Sequence, residues 1–344
     1  MKLTIKEIAK LSGVSQATVS RVLNNSASVK EETKRRIEKI IEEYHYTPNA
    51  VARSLSKNET NNIGVIIPDI SNPFFCEVIK GVSSVANENG LNIILCDTHE
   101  NQQKEIHFLN SLKNEKLKGI IITPVSDTYQ FDSDYSNLLE GMNVPIILVD
   151  RDVKYSNFDG VFIDNIKGAF EATSALIQEG HRNIAVIAGP TTSKPGRDRL
   201  IGYKKAYMMN NIPINEELIF YGDFGLESGY NNAKKILNSK HKPTAIFSCN
   251  NLMTIGVLKA LTELHLQIPD DIALIGFDDI EILDTLGFKI SSISRPTFEM
   301  GEIAMEMLIN QLKNRNKAKD NTVNRVTLIP QLILRGSEKL IRKE

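Results

Sequence analysis

Apolar, strand-like runs alternate with helical segments along most of the chain, and this alternation limits the possible folds more than any other feature. The runs are rich in isoleucine, leucine and valine and fall into two series. Continuous apolar strands separated by helices are typical of parallel sheets that helices cover on both faces. We therefore predict an α/β fold with two lobes, each a doubly wound parallel sheet. The predicted strands are Ile63–Ile67, Leu91–Leu95, Gly119–Thr123 and Pro145–Val149, then Asn183–Ile187, Leu218–Tyr221, Ala245–Phe247 and Ile272–Ile275, with helices over 74–89 and about 101–114.

The N-terminal segment lacks this alternation and predicts three short helices instead. Thr4 begins the first helix, with a glutamate three residues later as in a capping box, and Gly13 ends it. Ser15 caps a second helix over residues 16–24, and a third helix covers residues 31–44. Two short helices joined by a tight glycine turn form a helix-turn-helix, whose second helix enters the major groove of DNA.

The predicted second helix exposes side chains that can read base pairs. Glutamine and arginine pair with the edges of adenine and guanine, and alanine can touch a thymine methyl group. A solvated amphipathic helix would show a similar pattern. The charge distribution favours DNA, because residues 1–59 hold eleven lysines and arginines against seven glutamates, although the whole chain has a net charge of −1. The exposed residues are Gln16, Ala17, Ser20, Arg21 and Asn24.

Other classes of function find little support in the sequence. No apolar run approaches the roughly 18 residues that span a membrane, and the first residues do not resemble a signal peptide, so we expect a cytoplasmic protein. Cys76, Cys96 and Cys249 are widely spaced and odd in number, and we interpret them as core residues. Phosphate-binding glycine loops, nucleophile elbows and paired-histidine motifs are missing from the sequence, so we expect neither an enzyme nor a cofactor or metal.

Three parts of the chain resemble the lactose repressor–galactose repressor family of transcription regulators. Residues 4–24 are similar to its N-terminal signature, residues 46–55 to its hinge helix, and Ile67–Phe75 and Ala273–Asp279 to its core. The resemblance implies a homodimer that binds a pseudo-palindromic double-stranded operator and releases it when a small molecule binds. Leu55 matches a side chain that wedges into the minor groove and bends DNA. The implied DNA-binding residues are Thr4, Ser15, Gln16, Ala17, Thr18, Ser20, Arg21, Asn24, Asn49, Ala52, Arg53 and Leu55.

The resemblance also implies three crossings of the chain between the lobes, and these set the expected domain limits. We place the crossings near residues 163–165, 292–294 and 324–326. The tail carries no heptad repeat, so we expect a dimer and no stable tetramer. The expected parts are a DNA-binding head (1–46), a hinge helix and linker (47–61) and an effector-binding and dimerisation core (62–344), with an N-lobe of about 62–163 and 295–324 and a C-lobe of about 164–294 and 325–340.

Polar and aromatic residues at the ends of the predicted strands form the expected effector site, because ligands bind parallel sheets beyond the carboxyl ends of the strands. Taken singly, each of these residues could also be a core or surface residue. Together they resemble the sugar site of the periplasmic ribose-binding protein, in which rings cover a sugar and charged groups bind its hydroxyls. The resemblance implies D-ribose or a close relative as the effector. The matching residues are Asn72, Phe74, Phe75, Asp150, Arg151, Arg197, Phe224, Asn250 and Asp278.

One position departs from that pattern and leaves alternatives open. Arg295 stands where a glutamine often follows the second crossing, and an added cation suits a phosphorylated or acidic sugar. A carbon-catabolite-type global regulator that acts with a phosphorylated phosphocarrier protein is the other alternative. Such regulators present an arginine to the partner from the following helix, whereas this chain has Glu306 there, and a carboxylate repels a phosphate. The sequence thus favours a local, sugar-responsive regulator.

Overall fold

The computed structural model divides the chain into two compact units, residues 1–60 and residues 61–344. The structure describes residues 4–23, 29–44, 46, 60–126, 133–153, 156–314 and 322–341. We describe the first unit as the head and the second as the core.

The described part of the head contains three helices around a small apolar centre. Its helices are Ile5–Ser12, Gln16–Leu23 and Glu31–Glu43. Thr4 and Glu7 form the predicted capping box, in which the Glu7 carboxylate accepts from the Thr4 amide at 2.7 Å. Gly13 follows with φ of 67°, a left-handed conformation that glycine adopts without strain. The buried side chains that hold the helices together are Ile8, Ala9, Val19, Val22 and Ile37.

The core contains two six-stranded sheets, one in each lobe. The order is β11-β5-β4-β3-β1-β2 in the N-lobe and β12-β10-β9-β8-β6-β7 in the C-lobe. All pairs are parallel except β10 with β12. The predicted doubly wound α/β fold is confirmed. The strands are β1 Asn62–Ile67, β2 Asn92–Asp97, β3 Gly119–Ile122, β4 Ile146–Val149, β5 Asp159–Ile163, β6 Ile184–Ala188, β7 Ile219–Tyr221, β8 Ala245–Ser248, β9 Ala273–Phe277, β10 Ser291–Ser294, β11 Arg325–Leu328 and β12 Gln331–Ile333.

Helices cover both faces of each sheet, which is why most of the central strands are apolar along their whole length. Strands β3 to β6, β8 and β9 are buried at every position. Among the described residues, no helix combines the length and apolar character needed to cross a bilayer. The helices of the N-lobe are Pro73–Glu88, Gln102–Leu112, Ser133–Glu140 and Thr297–Asn314, and those of the C-lobe are Asn165–Gln178, Lys194–Met209, Leu226–Leu237, Asn251–Glu263 and Glu281–Thr285.

The chain crosses between the lobes three times, after β5, after β10 and after β11. The last crossing lies later than expected. Strand β11 pairs in parallel with β5 and therefore belongs to the N-lobe, whereas β12 pairs with β10 of the C-lobe. The crossing thus falls at Ile329 and Pro330 instead of residues 324–326, and residues 325–328 extend the N-lobe. The reason is that β11 is a short edge strand of alternating burial, a pattern that suits either sheet.

Two glycines bring the helices Pro73–Glu88 and Thr297–Asn314 into close contact across the N-lobe. A Cβ atom on Gly81 would lie 2.1 Å from the carbonyl oxygen of Phe298, and one on Gly301 would lie 2.1 Å from that of Val78. Neither carbonyl can move without shifting its helix.

We expect Gly301→Ala to lower the free energy of unfolding of the core by roughly 2–3 kcal/mol, because overpacking forces backbone shifts. Glu306→Ala, at an exposed position of the same helix, is the control and should change stability little. Urea unfolding of both variants measures the difference. An unchanged midpoint for Gly301→Ala would show that the helices separate at little cost.

A buried histidine joins the C-terminal segment to the C-lobe. His181 is 1% exposed. Its Nδ1 lies 2.8 Å from Thr244 Oγ1 and its Nε2 lies 3.1 Å from the carbonyl oxygen of Glu338. Burial lowers the pKa of His181 from its ordinary 6.5, because desolvation disfavours the charged ring.

The lowered pKa predicts a loss of stability in acid. The unfolded chain binds this proton more readily than the folded one, so stability is complete above pH 6.5 and falls as the pH drops below it. We expect His181→Gln to weaken this dependence in thermal unfolding scans between neutral pH and about pH 5. His107→Gln, at an exposed histidine, should keep the wild-type dependence. Identical curves for all three proteins would contradict the assignment.

Candidate functional site

The second helix of the head presents a polar face to solvent. Gln16, Ala17 and Arg21 are exposed, whereas Val19 and Val22 are buried against the other helices. This is the arrangement that a recognition helix needs, because its exposed side chains are free to reach base edges.

The other residues assigned to DNA binding fall into three groups. Thr4, Ser15 and Thr18 are engaged in helix capping, since the Thr18 amide donates to Ser15 Oγ at 3.2 Å. Ser20 is half-buried in the second helix. The remaining assignments lie outside the described residues, and they are Asn24, Asn49, Ala52, Arg53 and Leu55.

A cleft between the two lobes of the core gathers most of the predicted effector residues. It encloses about 300 Å³, including the part open to solvent. It lies at the carboxyl ends of the parallel strands, where α/β sheets bind ligands. The residues that line it are Asn72, Phe74, Phe75, Glu100, Asp150, Arg151, Pro195, Arg199, Phe224, Asn250, Asp278 and Arg295.

Three of these side chains are held by left-handed backbone. Asp150, Phe224 and Asp278 have φ of 62°, 69° and 78°, in a region that residues other than glycine rarely adopt. Each such conformation costs about 1–3 kcal/mol, and such residues cluster at ligand sites. Asp150 directly follows β4 and Asp278 directly follows β9, so the tight turn at each strand end aims a carboxylate into the cleft.

Arg295 lies between those two carboxylates. Its Nε is 2.5 Å from Asp278 Oδ1, and its Nη1 is 2.8 Å from Asp150 Oδ1. Its Cζ lies 3.7 Å from the centre of the Phe74 ring. Only 3% of the Arg295 side chain is exposed. A buried charge is tolerated when it is paired and hydrogen-bonded, and Arg295 meets both conditions.

Arg151 forms the second buried ion pair of the cleft. Its Nη1 and Nη2 bind the two carboxylate oxygens of Glu100 at 2.7 and 2.6 Å, a bidentate geometry. Burial alone would lower the pKa of Arg151, but the charge of Glu100 and its hydrogen bonds raise it. Nε of Arg151 is buried and has no hydrogen-bond partner in the part of the chain that the structure describes. This donor is available to a ligand.

The structure replaces one predicted residue, because Arg199 and not Arg197 lines the cleft. Nη1 of Arg197 donates to the carbonyl oxygen of Thr191 at the surface. Arg199 is 2% exposed, and its Nε donates to Asn165 Oδ1 at 2.8 Å. Burial and the nearby charge of Arg295 lower the pKa of Arg199 to about 10, so it is charged at neutral pH. Side chains two positions apart on a helix point in nearly opposite directions, so Arg197 and Arg199 cannot both face the cleft. The prediction chose the wrong arginine of the two.

The aromatic and amide residues complete the cleft. Phe74 and Phe75 meet edge to face with ring centres 4.8 Å apart, and Phe224 lies across the cleft near Arg151. The two asparagines are already engaged within the protein. Asn72 Oδ1 caps its helix and accepts from Asn251 of the other lobe at 2.8 Å, whereas Asn250 Nδ2 donates to the carbonyl oxygen of Phe224 at 2.7 Å.

Glu100, Pro195 and Arg199 line the cleft but were not predicted from the sequence. The sequence could have indicated Arg199. It lies three residues before Gly202 and four before Tyr203, a helical spacing that places it on the buried face of its helix. No such pattern indicates Glu100, since it lies in a loop and its partner is 51 residues away.

A head with an exposed recognition helix and a core with a polar, ring-lined cleft define the class of two-part regulators that combine DNA binding with ligand binding. Residues 4–49 match bacterial regulatory proteins of the lacI family, and residues 173–337 match the periplasmic binding protein-like domain. The HTH-type transcriptional repressor PurR of Photorhabdus laumondii is 35% identical over 340 residues, which span 97% of this chain and 96% of that protein.

Solved structures show the same likeness. The transcriptional regulator CelR in complex with cellobiose is 26% identical, with a TM-score of 0.72, over 98% of this chain and all of that one. A LacI-family regulator from Enterococcus faecium with bound ribose is 25% identical, with a TM-score of 0.72, over 82% of this chain and all of that one. This chain belongs to the lacI family of bacterial regulatory proteins. The family predicted from its motifs is thus confirmed. As a member of that family, it is a DNA-binding transcription regulator and not an enzyme.

Proposed function

We propose that this protein represses a sugar-utilisation operon and releases its operator when a neutral monosaccharide such as D-ribose binds in the cleft. The observation that carries this proposal is the composition of the cleft, which combines three phenylalanine rings with buried carboxylates and guanidinium groups. Rings cover the apolar faces of a sugar, and charged forks bind its hydroxyls. The related regulator with bound ribose supports the choice of D-ribose.

The charge of the cleft favours a neutral ligand over a phosphorylated or acidic sugar. Three carboxylates and three guanidinium groups line it, so their formal charges cancel. Arg295, which suggested an anionic ligand, is neutralised by Asp150 and Asp278. A phosphate placed there would meet both carboxylates, and like charges repel at short range.

We further propose that the protein acts as a homodimer on a pseudo-palindromic operator in the cytoplasm. The exposed Gln16 and Arg21 would read base edges in each half-site. Contacts from the basic head to phosphates would make the affinity fall steeply as salt increases. A catabolite-type regulator remains the second candidate. The exposed Glu306 disfavours it, because a carboxylate at that position would repel a phosphorylated partner.

Calorimetry and thermal-shift measurements on the full-length protein test the ligand. We expect D-ribose to raise the melting temperature and to bind with measurable heat, and ribose 5-phosphate to bind much more weakly. Tighter binding of the phosphate ester would restore the phosphorylated alternative. If ribose, ribose 5-phosphate and common hexoses all fail to bind, the monosaccharide assignment is wrong, while the family assignment stands.

A further inference from the structure

Arg295 occupies the place in the cleft where the chemistry is best suited to a sugar. Its Cζ lies over the Phe74 ring, 3.7 Å from the ring centre, where the face of a pyranose or furanose would pack. Arg295 donates hydrogen bonds to Asp150 and Asp278, the two carboxylates that we expect to accept hydrogen bonds from sugar hydroxyls. A ring-stacked group that donates hydrogen bonds to two carboxylates uses the contacts that a bound sugar would use.

The same side chain joins both lobes. Asp150 follows β4 of the N-lobe, Asp278 follows β9 of the C-lobe, and Arg295 lies on the crossing between β10 and the helix Thr297–Asn314. An arginine that pairs with one carboxylate from each lobe favours the arrangement in which the lobes are close, and so does a ligand bound between them.

We propose that Arg295 is an internal competitor of the effector: its guanidinium group and the ligand contend for Phe74, Asp150 and Asp278. This inference rests on the proposed function only in taking the cleft as the effector site. A ligand must displace the guanidinium group, so binding is weakened by the strength of the internal contacts. The cleft therefore selects small neutral polyols whose adjacent hydroxyls can replace both ion pairs at once.

The proposal requires that Phe74, Asp150 and Asp278 can take up a free ligand once the guanidinium group is absent, and this can be tested without knowing the effector. Arg295→Ala removes the guanidinium group and leaves its partners. Methylguanidinium is the probe, because it has the charge and shape of the missing group. We expect saturable binding of millimolar methylguanidinium to full-length Arg295→Ala by calorimetry, with a rise of several degrees in melting temperature, and no such binding to the wild type.

Two controls make this test specific. Arg325 pairs with Asp152 at 2.6 Å and lies 5.5 Å from the Phe162 ring, so Arg325→Ala removes similar contacts at a half-exposed position outside the cleft. Neither that variant with methylguanidinium nor Arg295→Ala with the neutral analogue methylurea should show binding. If Arg295→Ala does not fold, the double variant Arg295→Ala with Asp150→Asn restores the charge balance and keeps Asp278 to hold the probe.

D-ribose supplies the second measurement, on Arg295→Gln. We expect its affinity for D-ribose to exceed that of the wild type by about tenfold or more, because the competitor is gone. Equal or weaker ribose binding by Arg295→Gln, where the wild type binds ribose, would overturn the proposal. So would a failure of methylguanidinium to bind to Arg295→Ala or, where that variant does not fold, to the double variant. Methylguanidinium binding with no ribose binding by any protein would show that the contacts of Arg295 accept a free ligand, as the proposal requires, and would reject D-ribose as the effector.

Discussion

Removal of residues 1–60 is expected to abolish sequence-specific DNA binding while the core stays folded and binds its effector. The physical reason is that the two units are compact in themselves and that the exposed recognition side chains all lie in the first. Specific binding exceeds non-specific binding by about 10³-fold or more in such proteins. Residues 61–344 carry a net charge of −5, which is −1 for the whole chain less +4 for residues 1–60, and a negative net charge opposes binding to phosphates. Fluorescence anisotropy with an operator selected from random DNA measures the loss.

Single substitutions in the head test the same prediction one side chain at a time. We expect Gln16→Ala to weaken operator binding by about 1–3 kcal/mol and to relax base preference at one position of each half-site. Lys10→Ala, at an exposed position of the first helix, removes charge only, and should weaken binding to all sequences alike. Operator binding that survives deletion of residues 1–60 would place the DNA-binding surface in the core.

Asp278→Ala is expected to leave operator affinity nearly normal and to abolish the response to the effector. The carboxylate is 7% exposed and faces the cleft, so a ligand that pairs with it loses a buried, charge-assisted hydrogen bond. Such losses cost about 2–5 kcal/mol, which corresponds to at least a thirtyfold weaker affinity for D-ribose. Operator binding should then persist at sugar concentrations that release the wild type.

Asp279 is a matched control in the next position. Its carboxylate pairs with Arg335 and Ser292 and does not line the cleft. Asp279→Ala should therefore lower stability and keep the response to sugar. Loss of the response in both variants would indicate that damage to the C-lobe, and not contact with the ligand, explains the effect.

The coupling between sugar and DNA requires that the ligand bind one arrangement of the lobes better than another. The carboxylates of the cleft come from both lobes, so a bound sugar would favour their approach. Typical couplings of this kind amount to about 1–3 kcal/mol, or fivefold to 150-fold in operator affinity. Anisotropy titrations with and without D-ribose give this factor directly.

Most of the fold could be predicted because its signals are local. The capping box at Thr4 and the left-handed turn at Gly13 mark the helix-turn-helix within ten residues. The central strands are buried on both faces, so their sequences are apolar without interruption and differ clearly from the helices between them. The third crossing escaped prediction, because which sheet an edge strand joins depends on pairing across 165 residues or more.

The site could be predicted in its outline and not in its contacts. Asp150 and Asp278 follow apolar strands, and that position, together with the resemblance to a known sugar site, predicted a ligand site. Their pairing with Arg295 joins residues 145 and 17 positions apart, and no local pattern carries such information. The choice between Arg197 and Arg199 depended on the rotational position of one helix, which the spacing of its buried residues could have indicated.

Strands β11 and β12 affect how the protein folds during synthesis and how it responds to truncation. Strand β11 forms one edge of the N-lobe sheet and β12 one edge of the C-lobe sheet. A ribosome releases the chain from its N-terminus, so neither sheet is complete until residues 325–333 have emerged. A nonsense mutation that removes residues 325–344 would take one strand from each sheet at once and expose two unpaired edges, which favour aggregation. Both sheets thus depend on the same short segment, residues 325–333, for an edge strand, and a single truncation damages both lobes together.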